Sequence, residues 1–265
     1  MQYPEGIIDA HTHIFPAAIA RRATAAIGTF YDLKMQCLGS TAALLNSGAK
    51  IGVKKYLVCS VATRPEQAES INSFIYGECK AHDALIGFAT LHPAMECPQA
   101  EIERCLKMGM RGIKLHPDFQ QFNIDSPRAL ALYKLIAQYD LPILMHMGDA
   151  QKDYSTPARL RRATDAAPDT RFIAAHFGGY LHWREAHDYL KRGNLFFDTS
   201  SSLPFLSKEE ACGLIEYFGA DRFLFGTDFP IWNHEDELAR FLALGLPPDA
   251  QAAILHGNFE KLFNL

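Results

Sequence analysis

Short runs of apolar, β-branched or aromatic residues recur along the chain, each followed by a polar turn and a stretch with apolar positions at helical spacing. Eight such runs read as strands, at residues 6–11, 55–61, 85–91, 112–116, 142–146, 171–176, 195–199 and 222–227. Between them the helical period predicts helices at 41–50, 65–82, 98–108, 127–139, 156–166, 183–191, 207–218 and 234–244. Several open on good start signals: Ser126-Pro127, Thr156-Pro157, and Ser207 with Glu209 and Glu210 behind it. Strands such as 141–145 and 171–175 are apolar without alternation, which suits burial on both faces of a parallel sheet covered by helices. Eight alternating units in 265 residues predict one α/β domain, a (β/α)8 TIM barrel over 1–265, in preference to an open doubly wound sheet. The open sheet would want a glycine-rich phosphate loop after an early strand, and the sequence has none. Residues 16–40 read as an insertion after the first strand, helical in part, and 247–265 as one or two closing helices.

Composition narrows the function classes. A formal net charge of -4 argues against a nucleic-acid binder, which needs a basic excess or stripe. No apolar run is long enough to cross a bilayer, and the opening Met1-Gln2-Tyr3-Pro4-Glu5-Gly6 lacks the basic and apolar regions of a secretory signal. The six cysteines (37, 59, 79, 97, 105 and 212) are scattered and form no CxxC pair, so reduced thiols in a cytoplasmic protein are expected.

The histidines carry the chemistry. Six of the 11, His11, His13, His92, His116, His146 and His176, fall at or just past the C-terminal ends of predicted strands. In a β/α barrel those ends converge on the face that bears the active site. The other five, His82, His182, His187, His234 and His256, fall in helices or turns, where an isolated histidine is ordinarily a surface or packing residue. His11 and His13 are two apart on extended backbone, so both rings leave one face. An HxH alone fits equally well with one ring bonded in the core and the other exposed. Asp9 shares that face and is placed to accept the second N–H of a ligating imidazole. His146 and His176 end two further apolar strands, and Asp228 follows the last in Phe225-Gly226-Thr227-Asp228-Phe229-Pro230. Burying four imidazoles and a carboxylate near one axis is costly in desolvation unless a cation joins them. A set of histidines and one aspartate with a position left to solvent suits Zn2+.

These residues also resemble a known family. Asp9-Ala10-His11-Thr12-His13, Gly112-Ile113-Lys114-Leu115-His116-Pro117, the strand-end His146 and His176, the Phe225–Pro230 segment and the closing Gly257-Asn258-Phe259-Glu260-Lys261-Leu262-Phe263 look like the amidohydrolase superfamily. More narrowly they resemble its amidohydrolase-related branch, which includes aminocarboxymuconate-semialdehyde decarboxylase and the resorcylate-type decarboxylases. The resemblance implies one Zn2+ held by His11, His13, His146 and Asp228, with His176 as acid–base group. Its binuclear relatives imply the alternative, two ions bridged by a carboxylated lysine, here Lys114, with His146 and His176 on the second.

Zn2+ lowers the pKa of bound water to about 7, so the leading expectation is hydrolysis of a small anionic amide, lactone or ester, with Asp228 or His176 moving the proton. The alternative is a Zn-dependent non-oxidative decarboxylase of a small carboxylic acid, and sequence spacing does not separate the two. A lactonase working without metal and a non-catalytic binding barrel stand further off, the second because every ligand position is filled. Four residues are expected at the substrate: Lys114 and His116 on the fourth strand, Arg64 after the second, and His92, whose Leu91-His92-Pro93 exit parallels Leu115-His116-Pro117. Their plainer readings are a structural ion pair for Lys114, a helix start for Arg64 and a turn before proline for His92. The partner expected is a small molecule, with no nucleic acid or membrane, and homodimers by analogy with other barrels.

Overall fold

The eight predicted strands all form, the first shifted to run on through His13 and the others trimmed where the chain turns out of the sheet, in a computed structural model that describes residues 4–191 and 194–265. The first three residues of the opening stretch thus lie outside the described residues. The strands are β1 (Ile8–His13), β2 (Lys55–Cys59), β3 (Leu85–Thr90), β4 (Gly112–Leu115), β5 (Ile143–Met145), β6 (Phe172–Ala174), β7 (Leu195–Asp198) and β8 (Phe223–Leu224). Two helices follow β1: α1 (Ala17–Tyr31), which makes the insertion helical in part as expected, and α2 (Thr41–Ala49), the helix predicted at 41–50. Then come α3 (Ala68–Ala81), α4 (Pro98–Lys107), α5 (Pro117–Gln120), α6 (Pro127–Ala137), α7 (Pro157–Ala166), α8 (Trp183–Tyr189), α9 (Lys208–Phe218) and α10 (His234–Ala243). The tail holds α11 (Pro248–Ala252) and α12 (Asn258–Phe263), joined by a π-helical turn over Ala253–Gly257. The strands follow one another through the sheet in sequence order and alternate with helices, the order of a (β/α)8 TIM barrel. No helix among the described residues is long and apolar enough to cross a membrane.

The chain divides into two compact units. The first holds Met1–Cys59, Glu78–Ile86 and Thr199–Leu265. Here β1 pairs in parallel with β2, Ile8 opposite Lys55 and His13 opposite Cys59, with a register irregularity between Asp9 and Thr12. Such irregularities re-aim side chains, and this one lies at the HxH. On its other side β1 meets the end of β8: the Ala10 amide donates to the Phe225 carbonyl at 2.8 Å, Asp228 to His11 at 2.9 Å and His13 to Phe229 at 2.7 Å. The eighth strand ends at Leu224 instead of running to 227 because the chain then leaves the pleat, and Asp228 adopts φ 59°. A capping box closes the start of α9, with Ser207 and Glu210 bonding each other's backbone amides. Asn258 on α12 donates to the carbonyls of Ala220 and Phe223, both at 2.8 Å, which ties the closing helix to the start of β8.

The second unit holds Ser60–Gly77 and Gly87–Asp198. Its parallel register runs from Phe88 opposite Gly112 through Ile113 opposite Ile143 and Ile143 opposite Phe172 to Phe172 opposite Leu195. Each of β3–β7 is almost wholly buried, as unalternating apolar strands predict. The short helix α5, which hydrophobic period does not signal, turns Gln120 inward. Its side chain donates to the carbonyls of Ala62 at 2.9 Å and Leu91 at 2.7 Å and accepts from the His116 amide at 2.8 Å. One buried side chain thereby fixes three strand exits.

Candidate metal centre

In the first unit the HxH does bring both imidazoles together. His11 Nε2 and His13 Nε2 lie 3.2 Å apart, and Asp228 Oδ1 is 3.6 Å from the first and 3.4 Å from the second. His11 is fully buried and Asp228 nearly so. Two imidazole lone pairs at that separation repel unless a proton or cation lies between them. A tetrahedral ion with bonds of 2.0–2.1 Å sets its ligand atoms about 3.3 Å apart. The triangle of two nitrogens and one carboxylate oxygen therefore fits a divalent ion in both spacing and donor type.

Each ligand is held from behind. Ser200 Oγ lies 3.0 Å from His11 Nδ1, and Ser201 donates to Asp228 Oδ2 at 2.6 Å. Cys59 at the end of β2 gives its thiol proton to the Thr12 carbonyl at 3.4 Å, which leaves its sulfur, 3.5 Å from His13 Nδ1, to accept from that ring. Asp9, expected to take the N–H of a ligating imidazole, accepts from the backbone amides of His11 at 3.1 Å and Thr227 at 3.0 Å and from the Thr227 hydroxyl. Its second oxygen is 3.0 Å from His234 Nε2, and His234 Nδ1 meets Ser47 at 2.8 Å. Asp9 thus fixes the strand that carries His11 and the turn that carries Asp228.

In the second unit His146 and His176 meet through Nδ1 and Nε2 at 3.0 Å. His146 Nε2 lies 2.9 Å from the Gly148 carbonyl, which can only accept, so Nε2 carries the proton and Nδ1 is the basic nitrogen. The same bond weakens the case for a metal at the neighbouring His116–Asp118–His146 group, because the His146 nitrogen beside Asp118, 3.8 Å from its Oδ2, is the protonated one. His176 sits at φ 60°, its amide donating to Asp198 Oδ1 at 2.9 Å and its carbonyl accepting from the Trp183 indole at 3.0 Å. His116 stacks between Phe119 and His146, with ring centroids 3.8 Å from each. Asp118 is buried with Ser155 donating to Oδ2 at 2.6 Å, and burial pushes its carboxyl up to about 6 against that hydrogen bond.

The four expected substrate residues divide. Lys114 is fully buried at mid-strand in β4, opposite Thr90 and Leu144, and His116 caps α5 by accepting from the Phe119 amide at 3.3 Å. His92 accepts from the Ala94 amide at 3.1 Å, closing the turn before its proline exit, and burial lowers its pKa. Arg64 is exposed at the start of the 3-10 turn Pro65–Gln67, with its backbone amide bonded to Gln67. Reading strand-end histidines missed Ser200, Ser201 and Asp118. A signal was present: Thr199-Ser200-Ser201-Ser202 directly follows β7, and small hydroxyl residues at a barrel strand's C-terminal end are placed to bond whatever ligates there.

The amidohydrolase family profile matches residues 8–265. No curated protein matches the chain. Among solved structures the chain is similar to a 2,6-dihydroxybenzoate decarboxylase complexed with 2,6-dihydroxybenzoate, at 19% identity and a TM-score of 0.78 over 99% of this chain and 100% of that one. It is similar at 18% identity and TM-score 0.77, covering 99% and 98%, to a dihydroxybenzoic acid decarboxylase from a Polaromonas species with bound manganese and the inhibitor 2-nitroresorcinol. A 2-pyrone-4,6-dicarboxylic acid hydrolase candidate from Pseudomonas putida is similar at 18% identity and TM-score 0.70, covering 98% and 97%. Likeness at these identities carries the fold.

Proposed function

The chain belongs to the amidohydrolase family, and from that premise we propose that it is a divalent-metal-dependent, non-oxidative decarboxylase of a small hydroxylated aromatic acid. The observation that carries the metal is the triangle of His11 Nε2, His13 Nε2 and Asp228 Oδ1. Decarboxylation stands ahead of the hydrolysis that water activation alone suggests, because structures similar over the whole chain include dihydroxybenzoate decarboxylases, and the hydrolase candidate is less similar.

His11, His13 and Asp228 would hold the ion; His146, which the family resemblance adds to that set, has its proton on Nε2 and its Nδ1 engaged by His176, and is not counted among the ligands. A mixed nitrogen and oxygen set binds Zn2+ more tightly than Mn2+ by the Irving–Williams order, and zinc is proposed as the resident ion although a similar structure holds manganese. Once bound, the ion supplies Lewis acidity that draws electron density from a coordinated oxygen. The residues do the rest. In the bond between His176 Nε2 and His146 Nδ1, the nitrogen of His146 is the acceptor, so His176 Nε2 carries a proton. That proton is proposed to pass to the ring carbon as its bond to the carboxyl carbon breaks and CO2 leaves; no electrons are gained or lost. Lys114 and His116 are proposed to face the anionic substrate.

The test is a panel of hydroxybenzoates, lactones and amides offered to the metal-loaded chain with CO2 detected directly. CO2 release from a hydroxybenzoate, abolished by a chelator and restored by Zn2+ or Mn2+, is expected. Turnover of a lactone with no CO2 from any acid would return the protein to the hydrolases.

A further inference from the structure

We propose that Ser200 and Ser201 are positioning residues of the metal centre, Ser200 presenting His11 through Nε2 and Ser201 presenting Asp228 through Oδ1. This rests on the metal reading above. An imidazole can ligate through either nitrogen, and a hydrogen bond at one decides which is left. The Ser200 hydroxyl meets His11 at Nδ1, where it can accept the ring N–H, and this leaves the Nε2 lone pair toward His13 and Asp228. Ser201 settles the carboxylate in the same way. The Trp232 indole, a donor only, donates to Ser201 Oγ at 3.1 Å, and the hydroxyl proton is thereby directed to Asp228 Oδ2. Oδ1 remains as the oxygen facing both imidazoles.

The backbone supports the assignment. Ser201 adopts φ 48° and Asp228 φ 59°, left-handed conformations that neither residue takes without cost. Ser202 donates to the Ser200 carbonyl at 3.0 Å and steadies the turn. All three serines are buried. Hydrophobic packing alone gives no reason to bury the Ser200 and Ser201 hydroxyls at one strand exit, whereas orienting two ligands does.

The full-length chain, stripped of metal by chelator, is titrated with Zn2+ in competition with a chromophoric chelator, and its metal-free melting temperature is recorded. Ser200→Ala and Ser201→Ala should each weaken Zn2+ binding by about 10–100-fold, the usual effect of losing a group that orients a metal ligand. Ser201→Gly removes the same hydroxyl while relieving the left-handed backbone, and it should lose comparable affinity without a drop in metal-free melting temperature. Ser202→Ala should bind Zn2+ as the parent does. Parental affinity in the Ser200 and Ser201 variants, or an equal loss in Ser202→Ala, overturns the assignment while the metal reading stands. A parent chain that binds no Zn2+ overturns both.

Discussion

Glu237 on α10 has no exposed surface, and its Oε2 has no hydrogen-bond partner among the described residues. Arg240, whose guanidinium also lies 5.0 Å from the Trp232 ring centroid, pairs with the other oxygen. Burial nevertheless outweighs that pairing, and with Asp228 and Asp9 nearby it pushes the Glu237 carboxyl up to about 8 from an ordinary 4.5. Between those two values the folded chain keeps a proton that the unfolded chain releases. The stability of the protonated form is fully present below pH 4.5 and is lost as pH rises through 8, at up to about 1.4 kcal/mol per pH unit. Glu237→Gln removes this dependence. The melting temperature of the metal-free variant relative to the parent should therefore climb from pH 5 to pH 8, and a difference that stays flat would mean Glu237 is ionised throughout.

At the scale of the elements, β3 and β4 fit by absence of a side chain. Gly112 lies opposite Phe88, and a Cβ there would fall 2.3 Å from the Phe88 ring. Phe88 is fully buried and cannot swing into solvent. Gly112→Ala should cost about 1–3 kcal/mol, as overpacking of a filled core does, and lower the melting temperature by about 2–4 °C for each kcal/mol. Phe88→Leu opens that space, so the double variant should be less destabilised than the sum of the single changes; strict additivity would mean the two do not compete. The sequence conveys neither this contact nor α5, because periodicity reports which face is buried and not which neighbour fills it. It does convey element type, since β strands of unalternating apolar residues and helices opened by Ser126-Pro127 or Ser207 announce themselves locally. Strand ends were less legible. The run toward Thr227 reads as strand by composition, yet Asp228 turns left-handed and ends the pleat early.

For the molecule as a whole, a candidate metal site is legible in His11, His13 and Asp228, because ligand chemistry restricts which residue types can serve. The shell behind those ligands was not legible. Serine, cysteine and aspartate have many uses, and only distance separates Ser200, which meets a ligand ring, from Ser202, which meets a carbonyl. Reaction type was legible only as two alternatives, since one donor set serves both hydrolysis and loss of CO2. The claim beneath either outcome is that His11, His13 and Asp228 hold a divalent ion. Metal content per chain, measured by elemental analysis on parent, His13→Ala and Asp228→Asn purified without added metal, tests it most directly. About one ion in the parent is the expectation for a site with a single open position, with little or none in the two variants; full occupancy in His13→Ala and Asp228→Asn would contradict it.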